Sequence, residues 1–516
     1  MEQLGVFRVA AREPGRDAIV DPSGATVDYG TLVGAMRADG RGLAARGLTA
    51  GDTVAVLLPN SRELLEVYGA AVETGLTFVA VNWHLGADEV AYILEDSGTR
   101  AVVTHAQFAG VTRDAADRVG IAAACRFVAG GGADGFRPLA DLAAGQPTGA
   151  PDAPSPGRIM FYTSGTTGRP KGVSKRANHP DDGIALVTGI GLSATFSAVT
   201  EAADDRVDLV AGPMYHAAPF ASACGALDSG GLLVLMERFE PEEFIDRIAR
   251  HHVTNLMMVP TMFHRLLALP DDARAGADVS SLRAVTHAGA PCPIDVKFRM
   301  IEWWGPVISE AYSSTEGAGT VVTAEEWLRK PGTVGRPSPG VQIEIVDEHG
   351  SLCGPNEEGL VYLSQALWRF DYHNDPEKTS AARRGDLYTV GDIGYLDEDG
   401  YLFLCDRQAD VIVSGGVNIY PAEVEATILT HPAVADAAVV GAPSDEWGES
   451  VTAVVELRDG SAVTADELIE FARGRLAHYK CPRTVDFVDS LGRDPNGKVR
   501  KQAIRARYWQ GRDRRI

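Results

Sequence analysis

Thr53-Val54-Ala55-Val56-Leu57-Leu58 is an apolar run closed by Pro59-Asn60. It is too short for a helix and the right length for a strand buried on both faces. Beyond it, Leu64, Leu65, Val67, Tyr68 and Ala71 recur at helical spacing, and Phe78-Val79-Ala80-Val81 is another short apolar run. Val90, Tyr92, Ile93 and Leu94 repeat the helical spacing before Ala101-Val102-Val103-Thr104. Strand and helix in alternation hide a sheet beneath helices, which predicts an α/β fold with mostly parallel strands. The pattern resumes with a helix carrying Phe244, Ile245 and Ile248, a strand over 255–259, a helix over 262–269, a strand over 282–285 and a helix over 296–304. Between the two halves, residues 145–157 (GQPTGAPDAPSPG) are rich in Pro and Gly and read as a linker or exposed loop. Near residue 406 the texture changes. Helices over 423–429 and 465–476 and strands over 435–440 and 451–457 form a separate α+β module of plausible domain size.

The chain has 516 residues, a length that suggests more than one domain. Lys plus Arg number 48 against 70 Asp plus Glu, a net charge of −22. So acidic a surface repels phosphate backbones and anionic lipid, which argues against a general nucleic-acid or membrane binder but leaves room for one local anion site. The six cysteines (125, 224, 292, 353, 405 and 481) lie far apart with no Cys-x-x-Cys, an arrangement suited to a reducing compartment. Arg8, Arg12 and Glu13 interrupt the N-terminus with no apolar signal region, and runs such as 231–236 fall far short of the ~20 residues of a membrane span. A cytoplasmic protein is expected. From 493 to 515, nine Lys/Arg face only Asp494 and Asp513, which for most of these residues reads as a solvated basic tail.

The strongest chemical signal is Thr163-Ser164-Gly165-Thr166-Thr167-Gly168-Arg169-Pro170-Lys171-Gly172, following the strand-like Ile159-Met160-Phe161-Tyr162. Glycines let backbone N–H groups converge on an anion, while hydroxyls and Lys171 add donors and charge suited to a polyphosphate. It is not a Walker A loop, since Lys171 comes three residues after Gly168 and precedes glycine. On pattern alone, a flexible surface loop is the alternative. Tyr312-Ser313-Ser314-Thr315-Glu316-Gly317 adds an aromatic face for a base and a hard oxygen ligand for Mg2+. Thr389-Val390-Gly391-Asp392 presents an acid suited to ribose hydroxyls. Asp406-Arg407 and Ser414-Gly415-Gly416-Val417-Asn418-Ile419-Tyr420-Pro421 mark the junction to the second module. Pro495-Asn496-Gly497-Lys498 sets a lysine on a turn. Each has a plain alternative: a core tyrosine, a capping aspartate, a solvated lysine.

In this order the five segments resemble the adenylate-forming superfamily of acyl-CoA synthetases, firefly-type luciferases and peptide-synthetase adenylation domains, over about residues 25 to 505. The resemblance implies a large N-terminal domain over 1–405 and a small mobile domain over 406–516. It also implies that Thr163, Ser164, Gly165, Thr166, Thr167, Gly168 and Lys171 hold the ATP phosphates. Tyr312 would stack on adenine against a wall of Gly289, Ala290 and Pro291. Thr315 and Glu316 match the phosphate and magnesium positions, Asp392 and Arg407 the ribose contacts, and Lys498 the lysine of adenylation. Charge alone explains the need for that lysine: a carboxylate must attack a polyanion, and Mg2+ with a mobile cation neutralises the charge that develops. Thioester formation has the opposite requirement. The small domain would then rotate to exchange the Lys498 face for the Ser414–Tyr420 loop, with Gly415 and Gly416, opening a channel for CoA. Ala409 occupies the family's usual hinge position, with Asp410 next. Ser313 replaces a commoner glycine, and residues 178–206 do not resemble the usual helix.

Pro213-Met214-Tyr215-His216-Ala217-Ala218-Pro219-Phe220 matches the substrate-side motif, so His216 could border the acyl pocket; a structural histidine is the alternative, and His287 is another candidate wall. The favoured reading is a stand-alone acid:CoA ligase using ATP, Mg2+ and CoA on a fatty or aromatic acid, since 415–423 (GGVNIYPAE) leans toward such ligases. The alternatives are transfer to a carrier-protein thiol, activation of another acid such as nitrite, and a nucleotide-binding regulator, the last disfavoured by the presence of Lys498 and Glu316.

Overall fold

Every residue of Thr53–Leu57 is buried, as a strand covered on both faces requires. The helix that follows, Arg62–Thr74, starts where the Ser61 side chain accepts the Leu64 N–H and stops at Gly75 in the left-handed conformation. In the computed structural model, which describes residues 5–151, 154–163, 170–177, 205–365, 368–493 and 498–510, this strand lies inside an eight-stranded sheet. Thr77–Ala80 and Thr99–His105 flank it in parallel, and Arg158–Thr163 continues the parallel run. Lys171–Ala177 and then Trp368–Tyr372 extend that side antiparallel.

A nine-stranded sheet carries the second half of the alternation. Its parallel core runs Asp17–Val20, Leu232–Leu235, Val207–Val210, Asn255–Met258, Ala284–His287 and Ile308–Ser313. The helix Ala217–Ser229 is buried without a break from Pro219 to Leu227, as expected of a helix enclosed by other elements. Its Phe220 ring meets Tyr68, Phe78 and Phe161 of the other sheet's layer at 4.8, 5.7 and 5.6 Å, so one core spans both. A third, antiparallel sheet is built from Val341–Val346, Gly359–Gln365, Arg383–Arg384, Leu387–Tyr388, Asp392–Leu396 and Leu402–Arg407.

The smaller C-terminal domain is a five-stranded sheet of Ile412–Ser414, Val417–Ile419, Val434–Ser444, Gly448–Leu457 and Thr484–Val488. Helices Pro421–Leu429 and Ala465–Arg473 pack on one face through Val424, Ile428 and Leu468, and Lys501–Tyr508 packs on the other through Ile504. Of the two readings of residues 145–157, the exposed loop is the one seen among the described residues: the strands Arg137–Pro138 and Arg158–Thr163 on either side belong to one sheet, and Arg41 straps the segment by donating to the carbonyls of Pro147, Gly149 and Ala150. In the basic C-terminal segment Arg493, Lys501 and Arg505 are the exceptions to solvation, each pairing with a carboxylate of the small domain. Residues 178–204 lie outside the described residues. Among the described residues no helix is long and apolar enough to cross a membrane.

Between helices Tyr29–Ala45 and Arg62–Thr74, Asp39 and Glu66 are both buried. Burial, then the Glu66 charge, raises Asp39 to about 7, and burial raises Glu66 to about 7 against the pull of Arg62. Each carboxyl therefore keeps a proton in the folded chain that the unfolded chain releases near 4. The stability this contributes is complete below about pH 4 and lost as pH rises through about 7. Asp39→Asn is expected to raise the thermal transition at pH 8 by on the order of 2–4 °C, with the gain fading toward pH 5. Calorimetry at the two pH values checks it.

Candidate active site

Thr163 ends its strand directly opposite Lys171, so the glycine-rich segment joins two neighbouring strands. Ser164, Gly165, Thr166, Thr167 and Gly168 lie outside the described residues. Lys171 Nζ stands 5.7 Å from the centre of the Tyr372 ring, and the Tyr372 hydroxyl donates to Glu316 Oε1 at 2.9 Å. Tyr372 thus ties the end of the loop to the buried carboxylate expected to bind metal. No sequence motif pointed to Tyr372; it arrives because Trp368–Tyr372 adds to the sheet in a register that pairs it with Val173. Lys175 shares the face of Lys171 and Val173, since side chains alternate along a strand. Burial lowers Lys175 to about 8, while the nearby Glu316 charge pulls it back upward.

Tyr312, near the end of Ile308–Ser313, donates from its hydroxyl to Asp392 Oδ2 at 2.7 Å. Arg407 Nε lies 3.3 Å from Asp392 Oδ1, and the two residues are cross-strand partners. Residues from three separate motifs therefore meet in one chain of contacts. Burial and the Asp392 charge keep the Tyr312 phenol protonated far above its ordinary range, so it remains a donor. Gly319 makes room for this tyrosine: a Cβ there would lie 2.5 Å from Tyr312 O and 2.9 Å from its Cδ1. Gly319→Ala is expected to displace Tyr312 and weaken ATP binding by about tenfold, a typical overpacking cost. Calorimetric nucleotide titration checks it.

Gly289, Ala290 and Pro291 follow the strand Ala284–His287, which is the parallel neighbour of Ile308–Ser313. They form a partly open rim at the carboxyl end of the strands, beside Tyr312, where open α/β sheets take ligands. Thr315 and Glu316 occupy the turn after that strand, closed by a hydrogen bond from the Ser314 N–H to Gly317 O at 2.9 Å. His287 is not a pocket wall. It is fully buried against Phe263 at 5.3 Å, and it faces the ion pair of Lys297 and Glu310, whose Nζ and Oε2 are 2.7 Å apart.

His216 caps the entry to Ala217–Ser229 and packs beside Tyr215, ring centres 4.4 Å apart. Burial, followed by the charges of Lys498 and His84, lowers its pKa to about 3, so the imidazole is neutral at any physiological pH. Lys498 belongs to the small domain, yet it lies close enough to His216 to act on it electrostatically. His84 and Trp83 were not legible as site residues. They extend from the end of Thr77–Ala80, where Trp83 stacks on Phe108 at 4.8 Å and meets Tyr215 at 6.0 Å. Gly415 and Gly416 form a two-residue turn, with φ of 60° and 81°, between Ile412–Ser414 and Val417–Ile419. A Cβ on Gly415 would lie 2.6 Å from the Trp447 ring, so this turn closes on its own domain rather than on the Tyr312 group.

The model of the AMP-binding enzyme family matches residues 6–368, and that of the AMP-binding enzyme C-terminal domain matches residues 423–498. The chain belongs to the AMP-binding enzyme family. Among its relatives, a feruloyl-CoA synthase from an Amycolatopsis species is 34% identical over 491 residues, 94% of each chain. The long-chain-fatty-acid–CoA ligase FadD13 of Mycobacterium tuberculosis is 32% identical over 471 residues, 90% of each. The fatty acid–[acyl-carrier-protein] ligase ScoC of Streptomyces coeruleorubidus is 31% identical over 522 residues, covering 98% of this chain and 96% of that one. Among solved structures, o-succinylbenzoate CoA synthetase (MenE) of Bacillus subtilis with its acyl-adenylate intermediate superposes with a TM-score of 0.82 at 28% identity, covering 97% of each chain. The same enzyme with ATP and a magnesium ion gives 0.81 at 28% identity, covering 96% of this chain and 98% of that one.

Proposed function

We propose that this AMP-binding enzyme is an ATP-dependent acid:CoA ligase that converts a fatty or aromatic carboxylic acid to its acyl-adenylate and then to an acyl-CoA thioester. The observation that carries this reading is the joining of Tyr312, Asp392 and Arg407 at one strand end, next to Glu316, Tyr372 and Lys171, with Lys498 acting on His216 from the other domain. Adenine would lie between Tyr312 and the rim 289–291, ribose against Asp392 and Arg407, and the phosphates along Thr163, residues 164–168, Lys171 and Thr315.

Glu316 suits Mg2+: it is a buried carboxylate whose Oε1 takes the Tyr372 hydroxyl, and hard oxygen is what this ion prefers. Bound there, Mg2+ would offset phosphate charge. In the first half-reaction, a carboxylate oxygen bonds to the α-phosphorus and the bond to the bridging oxygen breaks, releasing pyrophosphate. Lys498 stabilises the charge that builds on those oxygens. In the second, the thiol sulfur attacks the acyl carbon and AMP leaves. Neutral His216 borders the acyl group without adding charge. We place the boundary between the domains at 405/406, with the small domain moving between steps so that the Gly415–Gly416 turn replaces Lys498. The dispersed cysteines favour the cytoplasm.

Acid-dependent ATP–pyrophosphate exchange over a panel of fatty and aromatic acids, repeated with CoA, tests the reading. Exchange together with an acyl-CoA product is the expected result. Exchange with acyl transfer only to a carrier-protein thiol, exchange only with nitrite, or no exchange would each contradict it.

A further inference from the structure

In sequence, Lys498 falls between two anchored points of the small domain. On its N-terminal side, the Arg493 guanidinium grips the Asp436 carboxylate, with Nη2 2.6 Å from Oδ1. On its C-terminal side stands the helix Lys501–Tyr508, docked by the buried Ile504 against Ala438, Val440 and Val454. Lys501 and Arg505 lie one turn apart and so on one face of this helix. Lys501 Nζ reaches Glu425 at 2.8 and 3.0 Å, and Arg505 pairs with Glu449.

Neither carboxylate serves its cation alone. Glu425 Oε1 also accepts the Val439 N–H at 2.7 Å, and Glu449 Oε2 accepts the Val413 N–H at 3.2 Å. Each is therefore tied to a strand of the small domain. Lys501 and Glu425 are 18% and 15% exposed, which makes this a largely desolvated pair. Burial alone would depress the Lys501 ammonium, but Glu425 and Asp406 outweigh it and hold the group charged, with Asp410 adding to their effect. Asp406 and Asp410 lie beside the proposed domain junction, and Asp406 Oδ2 also accepts the Ala422 N–H at 2.8 Å.

An apolar contact would hold a helix at least as well as such a pair, so its value lies in fixing position. Three residues span at most about 11 Å, so an anchored Lys501 restricts where Lys498 can stand.

We propose that the Lys501–Glu425 pair is a positioning element for adenylation, setting where Lys498 enters the cleft. This inference rests on the assignment of Lys498 to the first half-reaction. The test compares Lys501→Met, Lys501→Arg and the near-isosteric Glu425→Gln with the unaltered enzyme and with Lys498→Ala. Acyl-adenylate formation is followed in single turnovers, and thioester formation is followed separately from supplied acyl-adenylate and CoA. Lys501→Met and Glu425→Gln should slow the first half-reaction by about 10–100-fold, as a small misplacement of a reacting group does, with the second unchanged. Lys501→Arg should recover most of the loss. Equal losses in both half-reactions would mean a merely structural pair and overturn the proposal, as would an undiminished first half-reaction in Glu425→Gln. An unimpaired Lys498→Ala would instead overturn the assignment beneath it, so the two failures are told apart.

Discussion

Replacing Lys498 with alanine is expected to slow acyl-adenylate formation by about 10²–10³-fold, the usual cost of losing one preorganised charge stabiliser. Thioester formation from supplied acyl-adenylate should be untouched. The asymmetry follows from charge. Attack of a carboxylate on a polyphosphate brings like charges together, whereas a thiol attacking an acyl-adenylate meets no such barrier. Lys498 comes from the small domain, and its charge helps to lower the pKa of the half-buried His216, the placement that the proposed first step requires. Rapid-quench measurement of both half-reactions checks the prediction, and equal losses in the two would contradict it.

Glu316→Gln is expected to slow adenylation by about 10²-fold and to move the Mg2+ requirement to higher concentration. Glutamine keeps the shape, and its amide oxygen still accepts the Tyr372 hydroxyl, so the turn should survive. What disappears is the negative charge, and the amide oxygen left in its place holds a divalent cation more weakly. The same change removes the field that lifts Lys175, whose burial already favours the neutral amine. An Mg2+ titration of pyrophosphate release reads the effect; an unaltered titration curve would exclude Glu316 as the metal's ligand.

Much of this arrangement was legible in the sequence because its elements are local. Thr53–Leu57 announces itself by length and apolarity, and the helix after it by the spacing of its apolar residues. Tyr312, Asp392 and Arg407 were found singly, each in its own motif, although their mutual contacts depend on strand pairing. Tyr372, Lys175, Trp83 and His84 escaped because their roles come from long-range register: nothing near residue 372 says that it will lie beside Glu316. His287 misled for the converse reason. It stands one residue from Ala288 in a promising segment, but alternation along the strand turns it away toward Phe263. Which basic C-terminal residues would be paired was not legible, because composition counts charges without their partners, and the carboxylates of Asp436, Glu425 and Glu449 are supplied by distant parts of the small domain.

Oxygen isotope transfer tests the central chemistry most directly. With a carboxylic acid labelled with 18O in both oxygens, one complete turnover in the presence of ATP and CoA should leave one labelled oxygen in AMP and one in the thioester carbonyl. Label in orthophosphate, or AMP free of label, would mean that the acid never bonded to the α-phosphorus, and the account would be wrong.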